Sequence, residues 1–233
     1  MKSVLHDTSF TPLLAAVRPH IFPSRPTLDT LWHEGTPEAW REAKGVYWQL
    51  VKPHLLATEI ALNDLDPAYV RELSATGWYN FLLTQYFPWK YTAPNRLATT
   101  TAQLRTYSSS EIELLFEIKE ELFAFDRDGV RRGLILAKSV RGLGVAGASG
   151  LLALLFPADF GTVDQFAVKA LRSVSGLSGQ DRLARMKPEG LTVSDGVLLV
   201  ELMREKAAEL NQRFATTYWT PRKLDMVLWT YGR

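Results

Sequence analysis

The chain has 233 residues, enough for one large domain or one domain with an extension. It carries 27 Lys and Arg against 25 Asp and Glu, so charge permits nucleic-acid binding but a local patch must supply it. There is no cysteine, which excludes disulfides, thiolate nucleophiles, thiolate zinc sites and thiolate-held iron–sulfur clusters.

All four histidines (His6, His20, His33, His54) lie near the start of the chain. A Ser-His-Asp triad or a histidine-ligated metal in the main body would need that segment to reach over it. Carboxylates, lysines, tyrosines and water remain as reactive groups, and no cofactor or metal is expected. The first residues lack a signal-peptide pattern, and no apolar run approaches the roughly 20 residues of a membrane span. A cytoplasmic protein with no membrane partner is expected.

Residues 1–36 are punctuated by Pro12, Pro19, Pro23 and Pro26 and read as an irregular arm. Residues 1–60 are taken as an N-terminal extension packed on the body, and 61–233 as the main domain. Thr36-Pro37-Glu38 opens a helix, with Thr36 as N-cap and Pro37 at its first position, that runs to about Leu50, where Pro53 interrupts, or kinks on towards Leu56. Asp66-Pro67 repeats the signal, and Val70, Leu73, Trp78, Phe81 and Leu82 keep helical spacing to about Phe87. Residues 88–96 are dense in aromatics and cations, and Pro94 opens a helix to about Tyr107. Ser108-Ser109-Ser110-Glu111 caps a helix to about Phe125, whose Glu113, Glu117, Glu120 and Glu121 form a solvated acidic face. Arg131, Arg132, Lys138 and Arg141 follow as a basic patch. Beyond 173–191, a loop or short helix, Thr192 or Ser194 caps a long helix to about Phe214, and Thr220-Pro221 starts the last one. No strand-like alternation appears, so the fold class is all-α.

The segment 134–171 organises the rest. An apolar run ends at Val140, Arg141-Gly142-Leu143-Gly144 follows, and a second run begins on Val145-Ala146-Gly147-Ala148-Ser149. Two glycines around one leucine allow a tight turn, and small residues let a neighbouring helix approach. Helix, hairpin, helix is the reading, and the hairpin amides with the second helix's N-terminus suit a phosphate. Val163-Asp164 then opens a third helix, with Asp164 twenty residues after Gly144.

Gly142-Leu143-Gly144, the small-residue helix, the loop containing Pro157 and then Val163-Asp164 resemble the helix-hairpin-helix DNA glycosylase superfamily. The resemblance implies a two-lobed helical bundle (hairpin 134–156, aspartate segment 163–171, terminal helix 220–233) and DNA as partner, acting as a monomer. It implies Asp164 as the catalytic carboxylate, stabilising charge on the sugar and activating water. Gly142, Leu143, Gly144 and Ala146 would grip the DNA backbone with Arg141 and Lys138. Lys90 and Arg96 are further backbone candidates, and Gln85 is the nearest residue to fill the gap left by the flipped nucleotide. Trp89, Phe166, Trp219, Trp229 and Tyr231 are the aromatics for a base pocket. Members that cleave the strand carry a lysine two residues after the second hairpin glycine. Ala146 stands there, implying a monofunctional enzyme that leaves an abasic site. The C-terminal segment is similar to that of archaeal-type oxoguanine glycosylases, which implicates Arg233 in base recognition. The expected substrate is an oxidised purine or a hypermodified base of phage DNA, such as a glucosylated cytosine, the latter in antiviral defence. The rival reading is a non-catalytic helix-hairpin-helix module that only grips phosphates, in which Asp164 merely caps its helix.

Overall fold

The computed structural model describes residues 25–107 and 111–233, and all regular structure among them is helical. The first helices are α1 (Leu28–Glu34), α2 (Pro37–Leu50), α3 (Pro53–Asn63) and α4 (Pro67–Glu72). Thr36 and Asp66 cap α2 and α4 as their sequence signals predict. The prolines of α2, α3 and α4 sit in their first turns, where a missing N–H removes no helical bond.

Two expectations change here. Residues 28–34 are not irregular: the Thr27 hydroxyl accepts from the Thr30 amide, and Leu28, Leu31 and Trp32 are buried on one face. The expected arm over residues 1–24 lies outside the described residues. The single helix expected from Asp66 to Phe87 is broken. After α4 the Ser74 hydroxyl accepts from Gly77 and starts α5 (Ala75–Phe81). The buried Lys119 ammonium donates to the carbonyls of Arg71 and Leu73 (both 2.6 Å), satisfying acceptors at the break. A π-helical turn (Leu82–Tyr86) and the short α6 (Phe87–Lys90) follow. That turn re-aims the backbone just before Trp89 and Lys90; such turns recur at functional sites.

The remaining helices are α7 (Pro94–Leu104), α8 (Ile112–Ala124), α9 (Val130–Lys138), α10 (Val145–Leu155), α11 (Gln165–Leu171), α12 (Gln180–Arg185), α13 (Val193–Arg213) and α14 (Pro221–Gly232). The serine cap expected for α8 lies at 108–110, outside the described residues, and its four glutamates are exposed as expected. Thr192 and Asp195 form a reciprocal capping box on α13, and Thr220 caps α14.

One apolar core runs from Leu28 to Leu228. The nearly all-buried α10 packs on α9, and α13 covers α9 and α14. Most of α14 is buried between α2 and α11. Trp40 is fully buried between the rings of Trp32 and Trp219, at 6.0 and 5.6 Å. Truncating such a residue costs about 3–5 kcal/mol. The described part of residues 1–60 therefore shares the core of the body. Among the described residues no helix is long and apolar enough to cross a membrane.

Candidate active site

The hairpin between α9 and α10 is pinned from behind. Gly142 has φ +94°, and a Cβ there would come within 2.5 Å of the Thr100 carbonyl. The Tyr91 hydroxyl donates to the Gly142 carbonyl (3.1 Å), and burial pushes its pKa up to about 12. The Tyr86 hydroxyl donates to the Gly147 carbonyl. Leu143 is buried, so it anchors the hairpin inward. Gly144 is exposed and is the N-cap of α10 with no side-chain cap, and Ala146 is half-buried. The first-turn amides of α10 have no acceptor within the helix.

Ser149 of α10 fixes the approach to the next helix. Its hydroxyl accepts from the Val163 amide (2.9 Å) and lies 3.1 Å from the Ala146 carbonyl. Asp164 follows as N-cap of α11: Oδ1 accepts from the amides of Phe166 (2.9 Å) and Ala167 (3.2 Å). Oδ2 has no hydrogen bond among the described residues. Asp164 is thus a helix cap and also lines a cavity of about 350 Å³.

This cavity is bounded by α2, α3, α6, α11 and α14. Tyr47, Trp229 and Phe166 form an aromatic wall, with ring centroids 5.2 and 6.0 Å from Trp229 to the other two. The inner wall is a buried charged network. Arg222 donates through Nη1 to both oxygens of Asp225 (2.9 and 3.1 Å) and through Nη2 to Glu59 (3.0 Å). Glu59 also accepts from the Tyr47 hydroxyl and the Trp89 indole N–H, both at 2.5 Å. Asp225 Oδ2 accepts from the Thr162 amide (2.7 Å). Burial alone would depress the Arg222 pKa, but Asp225, Tyr47 and Glu59 together hold it above its ordinary value. Burial raises the Asp225 carboxyl, opposed by Arg222 and the Thr162 amide. Burial also raises Tyr47. Two buried polar atoms beside this network, Arg222 Nε and Thr162 Oγ1, have no hydrogen-bond partner among the described residues.

Lys90 enters the same cavity from the end of α6. Its stem crosses α10 at Gly150, where a Cβ would lie 3.1 Å from Cδ and 3.3 Å from Cε. Burial lowers its pKa, with the charges of Asp164 and Asp225 acting in the opposite direction.

The structure therefore brings together Asp164, Lys90, Trp89, Phe166, Trp229 and Arg233 of the residues singled out in the sequence. Lys90 is turned into the cavity rather than onto an outer face. Arg233 donates to the Leu50 carbonyl (2.5 Å) and covers the Trp229 ring at 4.8 Å. Trp219 does not line the cavity; it is buried against Trp40, with its backbone held by Asn211. Tyr231 does not line it either: its hydroxyl donates to the Pro26 carbonyl, and Arg25 lies over its ring at 3.5 Å. Arg141 folds back over Tyr107 and pairs with Glu111. Lys138, Arg96 and Gln85 are exposed, with Gln85 on the π-helical turn.

Tyr47, Glu59, Arg222 and Asp225 are among the lining residues that the sequence did not disclose. Arg222 and Asp225 are three apart on α14, a spacing that places both on one face; Glu59 carries no comparable signal. Among the described residues no group of three or more His, Cys, Asp and Glu is arranged to hold a metal ion. Comparison with known proteins yields no match to a family model, to a curated protein or to a solved structure.

Proposed function

We propose that the protein is a monofunctional DNA glycosylase of the helix-hairpin-helix kind. The observation carrying this reading is Asp164, whose segment is tied to the hairpin helix by Ser149 and which lines an aromatic and charged cavity. A phosphate would lie on the hairpin amides, and the flipped base would enter the cavity. In this reading the bundle is two-lobed, with the cavity where α6 meets α3.

In this reading the C1′–N bond breaks with positive charge on the sugar, facing Asp164. Phe166 and Trp229 offer flat faces to the base, and Glu59, Arg222 and Asp225 offer buried polar groups to its edge or substituent. Ala146 leaves the hairpin without an amine, so water completes hydrolysis and an abasic site remains. A cavity of about 350 Å³ lies within the ~300–1,000 Å³ range of small-molecule pockets. Its volume and buried charges favour a large polar base over a bare one, which supports a hypermodified base, as in phage DNA, ahead of an oxidised purine. Removal of such a base would serve antiviral defence.

The test is base release from duplexes carrying oxidised purines, uracil, alkylated bases or glucosylated cytosine. Alkali then reveals abasic sites, with Asp164→Asn alongside. Release of one base, lost in the variant, is expected. Tight, salt-dependent binding with no release would favour the non-catalytic module, in which Asp164 only caps α11.

A further inference from the structure

We propose that Lys90 is the proton donor to the departing base. This rests on the glycosylase reading and adds a residue that the hairpin motif does not contain.

The argument starts from an imbalance of donors. An ammonium has three N–H donors and no acceptor. Among the described residues the Lys90 ammonium makes no hydrogen bond, although it lines the cavity. Its charged neighbours are Asp164 at the start of α11, Asp225 and Arg222 on α14 and Glu59 on α3. Both oxygens of Asp225 and both of Glu59 are already hydrogen-bonded. Asp164 has one oxygen engaged by two amides. The Tyr86 hydroxyl, beside the lysine stem at Gly150, is engaged by the Gly147 carbonyl. A ligand that fills the cavity shuts water out from Lys90, and an acceptor on that ligand, with the free Oδ2 of Asp164, can then satisfy its donors.

The position of the ammonium indicates which acceptor. Lys90 lines one cavity with Asp164, Asp225, Arg222 and Glu59, and the charges of all four act on it. A nucleotide with its sugar at Asp164 and its base against the inner network places the glycosidic bond beside Lys90. As C1′–N breaks, the bonding pair goes to the base, and a proton passes from Lys90 Nζ to a ring nitrogen or carbonyl oxygen of that base. Water then adds to C1′, and its proton passes through Asp164 to the Lys90 amine, restoring both groups. Burial makes this ammonium a stronger acid than a solvated lysine.

The test compares single-turnover base release by wild type, Lys90→Met, Lys90→Arg and Lys90→Cys on the duplex the wild type opens. All three variants should slow release by about 10²–10⁴-fold, the usual contribution of a general acid. Duplex affinity, measured separately, should fall by far less than the rate of release. Wild-type release should fall as pH rises through the lysine's titration, and Lys90→Arg should lack that alkaline limb. The chain has no other cysteine, so alkylating Lys90→Cys with bromoethylamine restores an amine at this position alone. That amine is slightly more acidic than lysine, so rescue should come with an alkaline limb moved to lower pH. Wild-type rates in Lys90→Arg or Lys90→Met would overturn the proposal, as would alkylation without rescue. Borohydride trapping of wild-type Lys90 on the sugar would also overturn it, by making the amine a nucleophile. A wild type that opens no duplex overturns the glycosylase reading itself, a result distinct from unaltered variants of an active enzyme.

Discussion

Replacing Arg222 by Met tests the inner wall of the cavity most directly. In the folded protein one guanidinium faces two buried carboxylates, Asp225 at 2.9 Å and Glu59 at 3.0 Å. Removing it leaves both without their counter-charge, a change that typically costs about 3–5 kcal/mol. For a chain of this size each kcal/mol moves the melting temperature by roughly 2–4 °C, so a drop of about 6–20 °C is expected near neutral pH. The loss must also depend on pH, and its sign follows from linkage. Without Arg222 the folded-state pKa of Asp225, already raised by burial, rises further above that of the unfolded chain. The folded state then holds protons that the unfolded state has released, so stability falls as pH rises through that window. Burial already raises Asp225 with Arg222 in place, so the variant can only extend the trend. Thermal melts by circular dichroism at about pH 5 and about pH 8 should show the deficit larger at the higher pH. Adding Glu59→Gln should recover part of it at the higher pH. A deficit below about 1 kcal/mol, or one equal at both pH values, would refute the view of this network as charges held together by Arg222.

Four further outcomes are expected. Asp164→Asn keeps a side-chain oxygen for the Phe166 and Ala167 amides, so stability should fall by no more than about 1 kcal/mol in urea titration while base release is abolished. Gly142→Ala should cost at least about 1–2 kcal/mol, because φ is +94° and the Thr100 carbonyl blocks the added carbon. Gly144→Ala meets nothing within 4 Å at an ordinary φ, so its denaturation midpoint should stay close to wild type and any weakening of DNA affinity reads the backbone contact. Trp89→Phe removes the indole donor to Glu59 and should cost about 1–3 kcal/mol, measured by chemical denaturation.

Helix starts were legible because capping is local: Thr36, Asp66, Thr192 and Thr220 each bond amides two or three residues away. The turn at Gly142 and the placement of Asp164 at a helix start are local in the same sense. The break at residues 73–74 was hidden because it is held partly by Lys119, which lies far along the chain in α8. The inner wall was hidden for the same kind of reason. Glu59 and Arg222 are separated by most of the sequence and meet only when α3 and α14 converge. Helical spacing marks a tryptophan as apolar-facing but does not say which neighbour it meets. So Trp229, on the cavity, and Trp219, under Trp40, looked alike. Lys90 sits in a cation-rich segment that reads as a surface patch, and its place on the cavity depends on α3, α11 and α14, which lie far away in the sequence.

The charges of this cavity divide into two sets that folding alone treats differently. Arg222, Asp225 and Glu59 hydrogen-bond one another and take further bonds from Tyr47, Trp89 and the Thr162 amide, so both carboxylates are fully partnered although Arg222 Nε is not. Lys90 and the second oxygen of Asp164 have no such partners among the described residues. A core needing only packing would place an apolar residue at position 90, where Gly150 gives the chain room to pass. A half-buried amine without a hydrogen bond, sharing a cavity with an incompletely bonded carboxylate, is the kind of arrangement that concentrates where a ligand completes the pairing. Both come from outside the inner network: Asp164 from the loop tied to the hairpin helix, Lys90 from the helix packed against it. The hairpin helix therefore holds the Asp164 segment through Ser149 and passes the Lys90 stem at Gly150, bringing both groups to one cavity.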